Sequence, residues 1–570
     1  MSQILKKFFL VFNFLNNDIK KKIPILFFVT LLSGTIEIIN LYLIGFYVKL
    51  VTQFESFFLK TNIQKIFFFE YEYYLDKNLF FVISLIVLFL FIITVVFTYI
   101  TNIFIIWIGN KSTFNLADKI YLKYLYNNDQ FDNKITFSEI QNQIFSESNR
   151  AGTILTSSLQ IIVRSLLALM LLIYLLIIQP KITGIMFLLF FIIYILFYKK
   201  IKKILLVQSE LISNYTTSRF ETFNKSFKGI KEIKIYRLEN YLKHNFLKAS
   251  KVLRKIRVFF KAIDLLPKVI LDISLFSAFI SITLYIIFYV DTGIYEYLSV
   301  AAVYLFAALR LLPSFQLIYS NLNSLNIDQS SIKKLESIFK SKKTNLHIHN
   351  VKKIFFKNIK CKNLSLKFGN NELIKNLNCN FKKNNKYLIF GKSGIGKSTF
   401  FDIILGLKKI DEGSIFLNEK IVDQSNFFQL RKISSFIQQK TFIFNGSLLE
   451  NITFEKDINK VDLKLLHKIL IDLDLNFGKK KLKSILQKKV GDDFTQISGG
   501  EKQKIGIARA LYKKPQILFM DEATNSLDPK NEIKIVKKLV SFNDLTLLFI
   551  SHNNSLKKFF KNKLDFEQYV

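Results

Sequence analysis

The octapeptide Gly391-Lys392-Ser393-Gly394-Ile395-Gly396-Lys397-Ser398 follows Lys386–Gly391 (KYLIFG), an apolar run of strand length. It precedes Thr399 and the apolar helical run Phe400–Leu407. Strand, glycine-rich loop and helix in that order are what a phosphate-binding loop requires. Glycines let backbone N–H groups wrap phosphate oxygens, and the helix N-terminus adds its dipole. Lys397 is expected to reach the β- and γ-phosphates of a nucleotide and Ser398 to coordinate Mg2+, with Gly391 to Gly396 and Thr399 lining the phosphates.

Working outward, Ile517-Leu-Phe-Met-Asp521-Glu522 reads as a buried strand that presents two carboxylates at its C-terminal end. Asp521 is expected to hold the Mg2+ shell, and Glu522 to polarise an attacking water as general base. Leu547-Leu-Phe-Ile-Ser-His552 repeats the design, an apolar strand delivering a polar side chain to the edge where α/β sites lie. His552 is expected to contact the γ-phosphate.

The first half of the chain reads differently. The chain has 570 residues, 50% of them hydrophobic and 61 of them Phe, with a formal net charge of +38. So basic a chain suits either a nucleic-acid face or the cytoplasmic side of a membrane protein. Long apolar runs separated by Lys-rich loops favour the membrane and no nucleic acid. A hydrocarbon core ~30 Å thick needs about 20 apolar residues in a helix. Six stretches fit: about Ile23–Val48, Leu79–Trp107, Ile154–Ile178, Ile182–Tyr198, Ile263–Val290 and Leu298–Leu322. Gln179-Pro180-Lys181 reads as a tight hairpin between the third and fourth. Lys20-Lys21-Lys22 precedes the first span and Lys or Arg crowd Lys199–Lys261, whereas Asp291–Tyr297 holds neither. The positive-inside rule then puts both termini in the cytoplasm. Met1–Asn17 lacks a signal-peptide cleavage site and reads as an amphipathic surface helix, and Gln53–Lys77 as a segment in the outer interface. The organisation expected is a membrane domain over residues 1–330, a linker over 331–350 and a nucleotide-binding domain over 351–570. Cys361 and Cys379 have no metal or disulfide spacing, and His347 and His349 fall in the linker with no ligating neighbours. The Lys runs at 479–481 and 488–489 read as solvated faces.

Residues from about Val351 to His552 resemble the ATP-binding cassette of ABC transporters. The resemblance rests on the loop and strands above and on Ile497-Ser498-Gly499-Gly500-Glu501 followed by Lys-Gln-Lys-Ile-Gly-Ile-Ala-Arg-Ala510, which is similar to the family signature. In the family this element binds the γ-phosphate held by the phosphate loop of the opposite cassette. The resemblance further implies a water-positioning and metal-binding role for Gln439, adenine stacking by Phe368, and a dimer-crossing loop at Asn525-Ser-Leu-Asp528. Ile497 stands for the usual Leu, Glu501 for Gln and Phe368 for Tyr. Val490-Gly-Asp492 resembles the acidic loop of exporter-type cassettes, and the final strands and helix are expected to be short. The fold class implied is an N-terminal all-α six-helix transmembrane domain of the ABC exporter type plus a C-terminal α/β P-loop NTPase domain. ATP and Mg2+ are the cofactors implied. One cassette supplies half of each site, so a homodimer in the plasma membrane is expected, joined through membrane domain and cassette.

Two segments, Gly229-Ile-Lys-Glu-Ile-Lys-Ile-Tyr236 with Leu266-Pro267-Lys268 and Asp272, and Ala307-Ala-Leu-Arg310-Leu-Leu-Pro313-Ser314, resemble the lipid-linked oligosaccharide flippases of the PglK type. The resemblance implies an anionic lipid or lipid-linked saccharide as substrate. Glu37, Asp272, Arg310 and Arg164 fall inside spans, where ionisable groups face a cavity or a partner. Arg310 either meets a pyrophosphate head or pairs with Asp272 or Glu37 to hold helices together. The alternatives are an exporter of a peptide, drug or other lipid and, on other grounds, a nucleic-acid ATPase. Polar loops near Phe131–Ser148 and Asn214–Phe223 are candidates to contact the cassettes, the first near Gln439.

Overall fold

The computed structural model describes residues 16–52, 77–126, 135–289, 294–340, 354–368, 371–422, 427–475, 481–491 and 497–569, with Phe9 and residues 12–13 besides. Met1–Asn17 for the most part, Gln53–Lys77 except its last residue, the histidine linker and Asp492 lie outside these. The chain divides into two compact units that part between Asn345 and Leu346.

The first unit is helical. Its long elements are α1 (Ile23–Thr52), α2 (Lys77–Tyr126), α3 (Ser148–Ile178), α4 (Pro180–Lys228), the short α5 (Ile230–Tyr236), α6 (Glu239–Tyr289), α7 (Ile294–Ile327) and α8 (Gln329–Lys340). Among the described residues, four segments are long and apolar enough to cross a membrane: Asn17–Val51, Phe81–Tyr126, Phe137–Ile178 and Ala301–Ile327. The exterior of α2 explains its length. Phe81, Leu85, Leu88, Phe89, Ile92 and Tyr99 all stand exposed, a surface suited to lipid and not to water. Proline at the first position of α4 accounts for the immediate reversal after Ile178, because its missing N–H costs nothing there.

The other reversal lies elsewhere than expected. Asn214–Phe223 is the interior of α4, not a loop, and the chain turns at Gly229–Leu238, around α5. Charged residues recur at helical spacing through both stretches, so the pattern alone does not separate them. Arg237, in the left-handed region at φ 54°, ends α5.

Two features hold the helices of this unit together. Gly109 on α2 and Gly152 on α3 bring the backbones into contact: a Cβ on Gly109 would lie 1.8 Å from Thr156 Cγ2, and one on Gly152 1.8 Å from Thr113 Oγ1. The arrangement is reciprocal, since Thr113 and Thr156 each donate to the carbonyl of their own helix's glycine at 3.2 Å. Small residues at such a crossing permit close van der Waals packing. Gly109→Ala is expected to cost about 1–3 kcal/mol through overpacking. Thermal melting of the detergent-solubilised protein checks this; an unshifted midpoint would contradict it.

The second feature is a buried ionic cluster. Glu147 ends a π-helical turn, Asn142–Glu147, and is fully buried. Its carboxylate accepts from Arg150 at 3.1 Å and from Ser213, with Lys334 at 3.4 Å. Arg150 Nε in turn donates to Asp328 Oδ1 at 2.9 Å. One cluster thereby joins α3, α4, α8 and the end of α7. Buried charges of this kind persist only when paired and hydrogen-bonded.

The second unit is α/β. Strands β1 (Asn358–Phe368), β2 (Asn371–Lys382), β3 (Lys386–Phe390), β4 (Glu412–Leu417), β5 (Lys420–Ile421), β6 (Ser434–Ile437), β7 (Gly446–Ser447), β8 (Lys489–Val490), β9 (Ile517–Asp521), β10 (Thr546–Ile550) and β11 (Asn562–Asp565) form three sheets. An antiparallel sheet runs β2-β1-β4-β5, a parallel sheet β11-β3-β10-β9-β6, and β7 pairs with β8. Every residue of β9 and β10 is buried, as their continuous apolar runs require in the middle of a parallel sheet. Helices α9 (Lys397–Ile404), α10 (Gly499–Tyr512) and α11 (Pro529–Ser541) accompany this sheet. β3, β10 and β9 are neighbours in parallel register, Ile389 beside Ile550 and Ile550 beside Asp521. Their C-terminal ends therefore gather on one edge.

Candidate nucleotide-binding site

That edge carries the candidate site. The loop leaving β3 has Gly391, Gly394 and Gly396 at φ 145°, 84° and 99°. Gly396, in the left-handed region, stands immediately before α9 and lets the chain turn from loop to helix with no Cβ penalty. Lys397 begins α9 and is 5% exposed. Its Nζ donates to the carbonyls of Gly391 at 2.8 Å and Lys392 at 2.6 Å, inside the loop it is expected to serve. Burial pulls the Lys397 amine down from its ordinary pKa, against the opposing pull of Glu522, Asp521 and Glu567. The backbone N–H of Lys392 donates to Glu567 Oε1 at 3.0 Å, a contact that no motif announced.

Ser398 Oγ donates to Asp521 Oδ1 at 3.0 Å. Burial raises the pKa of Asp521, its bond to Ser398 lowers it, and Glu522 next to it raises it again. A carboxylate so placed beside a serine hydroxyl and a second carboxylate fits a divalent cation that shares its shell with phosphate oxygens. Ser398 and Asp521 therefore fit Mg2+ as residues that would hold it, whereas Gln439, the third ligand expected, turns its amide nitrogen to Glu522.

Glu522 follows β9 in the left-handed region, at φ 48°. Non-glycine residues seldom hold that conformation, and those that do cluster at functional sites. Three side chains from three segments meet its carboxylate. Gln439 Nε2 donates to Oε2 at 2.8 Å, Asn525 Nδ2 donates to the same oxygen at 2.7 Å, and His552 Nε2 lies 2.8 Å from Oε1. Gln439 and His552, predicted from far-apart positions, thus come together on Glu522. Asn525 is an addition, for its amide was not singled out in the sequence.

The signature-like segment is a helix cap. Ser498 is the N-cap of α10: its hydroxyl accepts from Glu501 N at 3.2 Å, and Glu501 Oε2 accepts from Ser498 N at 2.9 Å. Ser-x-x-Glu is a capping box. Glu501 therefore lies against its own cap, its N–H taken by Ser498 and its carboxylate by the Ser498 N–H. Gly499 and Gly500 pack on Ser526, and a Cβ on Gly500 would lie 3.2 Å from Ser526 O. Buried Gln503 accepts from Ser526 N at 3.0 Å and fixes that loop; the sequence reading missed it, although Gln503 lies one turn after Gly499. Asp528 caps α11 through Asn531. Phe368 ends β1, and its side chain lies outside the described part.

Away from this edge, a cavity of about 580 Å³ lies beside Gln438, lined among others by Arg431, Phe442, Phe454, Arg509 and Lys513. It is not the phosphate site. In the first unit, Arg310 Nε lies 3.4 Å from Glu37 Oε1 and its guanidinium 5.2 Å from the Phe91 ring. Arg164 donates to Asn102 Oδ1 at 2.9 Å. Asp272 lies on α6, and its side chain is outside the described part.

Comparison with known families settles the kinship. The family profile described as the ABC transporter transmembrane region matches residues 23–312, about half of the chain, and the profile described as ABC transporter matches residues 374–525. The chain belongs to the ABC transporter family. It is a membrane protein with an ATP-binding cassette. A structure of a bacterial Atm1-family ABC exporter with ATP bound superposes with a TM-score of 0.77 at 16% identity, over 97% of this chain and 94% of that one, so the transporter has the exporter fold. Among curated relatives, the lactococcin-A transport/processing ATP-binding protein LcnC of Lactococcus lactis is 30% identical over 221 residues, 39% of this chain and 30% of that protein. The ATP-dependent permease MDL1 of Candida albicans is 32% identical over 190 residues, 33% of this chain and 27% of that protein. The transporter thus matches less than a third of the length of either.

Proposed function

We propose that this transporter works as a homodimer in the plasma membrane, with both termini cytoplasmic, and uses ATP to flip an anionic lipid, most specifically a lipid-linked oligosaccharide, to the outer leaflet. The observation that carries the substrate class is the intramembrane cluster of Arg310, Glu37 and Arg164. Glu37 is in electrostatic reach of both arginines. Two cations stand against one carboxylate among these side chains, a surplus of positive charge that an anionic head group would neutralise. The Arg310–Glu37 pair also supports the second role considered for Arg310, holding α1 to α7. The two roles are compatible, because a guanidinium presents five donors and this pair engages Nε.

Pro313 sits inside α7, three residues after Arg310, and removes a main-chain donor there. Ser314 Oγ donates to Arg310 O at 3.0 Å. The helix runs unbroken through this stretch with one main-chain donor fewer, a feature suited to a helix that must bend.

In the cassette, the N–H groups of the 391–398 loop and Lys397 would hold the β- and γ-phosphates of ATP. Glu522 would take the proton of a water aligned by Gln439, and His552 would contact the γ-phosphate. Bound Mg2+ would supply positive charge to the phosphate oxygens. Ser498 to Gly500 of a second copy would close over the same phosphates, so that ATP binding favours a closed pair of cassettes and hydrolysis releases it.

The test is ATPase stimulation of the reconstituted protein by a panel of lipid-linked saccharides, uncharged lipids and peptides, with Arg310→Ala alongside. Stimulation by the anionic saccharide lipids, reduced about tenfold in sensitivity in the variant, is expected. Unaltered stimulation of Arg310→Ala would remove the substrate role, and a response to peptides alone would favour peptide export.

A further inference from the structure

The cassette buries a carboxylate that the reaction as outlined does not use. Glu532 lies in the first turn of α11 and is 6% exposed. Its Oε1 accepts from Thr524 Oγ1 at 2.7 Å, and its Oε2 accepts from Asn553 Nδ2 at 2.7 Å. Thr524 stands two residues after Glu522, and Asn553 directly follows His552. One carboxylate thus ties the segment leaving β9 to the segment leaving β10. These are the segments whose side chains, Glu522 and His552, face each other at 2.8 Å.

Local structure does not require this tie. Asp528 already caps α11, and the side-chain Oδ1 of Asn553 already caps its own turn by accepting from Ser555 N at 3.0 Å. The amide of Asn553 that points to Glu532 is additional to both. Burying a carboxylate is costly unless its oxygens are satisfied, and here each oxygen has a donor, with the start of α11 adding its dipole.

We propose that Glu532 is a positioning residue for ATP hydrolysis, holding Glu522 and His552 in mutual register through Thr524 and Asn553. The proposal rests on the reading that Glu522 and His552 serve the hydrolytic step. Its chemistry is directional: both partners donate and Glu532 only accepts. Gln at 532 would keep an acceptor for Thr524 and turn an amide N–H toward the amide N–H of Asn553. Asp at 553 would keep the cap on Ser555 and turn a carboxylate toward the Glu532 carboxylate. Combined, Glu532→Gln and Asn553→Asp restore a donor–acceptor pair with reversed polarity.

The experiment measures ATP turnover of the full-length protein in nanodiscs for wild type, Glu522→Gln, Glu532→Gln, Asn553→Asp and the double Glu532→Gln/Asn553→Asp. Each of the two tie variants is expected to lower kcat about tenfold with KM for ATP held within about twofold, and the double to return to within about threefold of wild type. Slow single variants with no recovery in the double would mean that Glu532 serves packing alone and overturn the proposal. So would a wild-type kcat in Glu532→Gln while Glu522→Gln is inactive. If Glu522→Gln turns over like wild type, or wild type does not turn over, the reading of the site fails and this proposal with it. Should Glu532→Gln not fold, Asn553→Ala carries the test. It removes only the amide arm and the turn cap, and an undiminished kcat there is likewise decisive against the tie.

Discussion

Glu522→Gln is expected to cut steady-state ATP hydrolysis by about 10²–10⁴-fold, the usual contribution of a general base, while ATP binding survives. The substitution is nearly isosteric and keeps the strained backbone at φ 48° occupied by a side chain of the same length. It removes the basic oxygen that would take the proton. It also disturbs the three contacts on the carboxylate, because an amide offers one acceptor where Gln439, Asn525 and His552 meet two. Phosphate release from the nanodisc-embedded protein measures the first effect and fluorescent-nucleotide titration the second. Turnover within a few-fold of wild type would mean that the base lies elsewhere.

The second large effect is expected from Lys397→Ala. Lys397 is buried, and its Nζ bonds two carbonyls of its own loop. Truncation would leave the carbonyls of Gly391 and Lys392 without that donor and the site without its loop cation. Hydrogen bonds to charged groups contribute about 1.5–3 kcal/mol each, so ATP affinity is expected to fall roughly 10- to 100-fold. Burial pulls the amine's pKa down, and a phosphate that pairs with it would push it back up, so nucleotide binding favours the charged form. An unchanged dissociation constant in Lys397→Ala would show that the backbone N–H groups alone hold the phosphates.

What the sequence made legible follows from how local each signal is. The loop 391–398, the carboxylates after β9 and the histidine after β10 were readable because strand, glycine turn and polar terminus lie within a few residues of one another. The capping box at Ser498 and Glu501 is equally local, yet those residues were read as a family signature and not as the cap that the structure makes of them. The hairpin at Gln179-Pro180 was readable because proline states its own conformation. The turn after α4 was not, because Lys and Arg recur at helical spacing across it, and only Gly229 and the left-handed Arg237 mark it.

Contacts between distant segments were beyond reach for a different reason. Arg150 meets Asp328 across 178 positions, Gln503 meets Ser526 across 23 and Glu532 meets Asn553 across 21, and these residues gain their meaning only when β9, β10 and α10 are brought side by side. Nothing in the residues around Glu532 announces a partner at Asn553. The intramembrane pair was half legible: a charge inside an apolar span implies a partner, and Glu37 was one of two candidates for Arg310, but spacing along the chain could not choose between Glu37 and Asp272.

The most direct test of an ATP-driven lipid flippase is translocation itself. Proteoliposomes loaded with a fluorescent polyprenyl-diphosphate saccharide would be supplied with external ATP and a membrane-impermeant quencher, with wild type and Glu522→Gln in parallel. Wild type is predicted to change the quenchable fraction with time only when ATP is present, and Glu522→Gln to leave it where it began. Equal movement with and without ATP, or undiminished movement by Glu522→Gln, would contradict the coupling of this cassette to lipid transport.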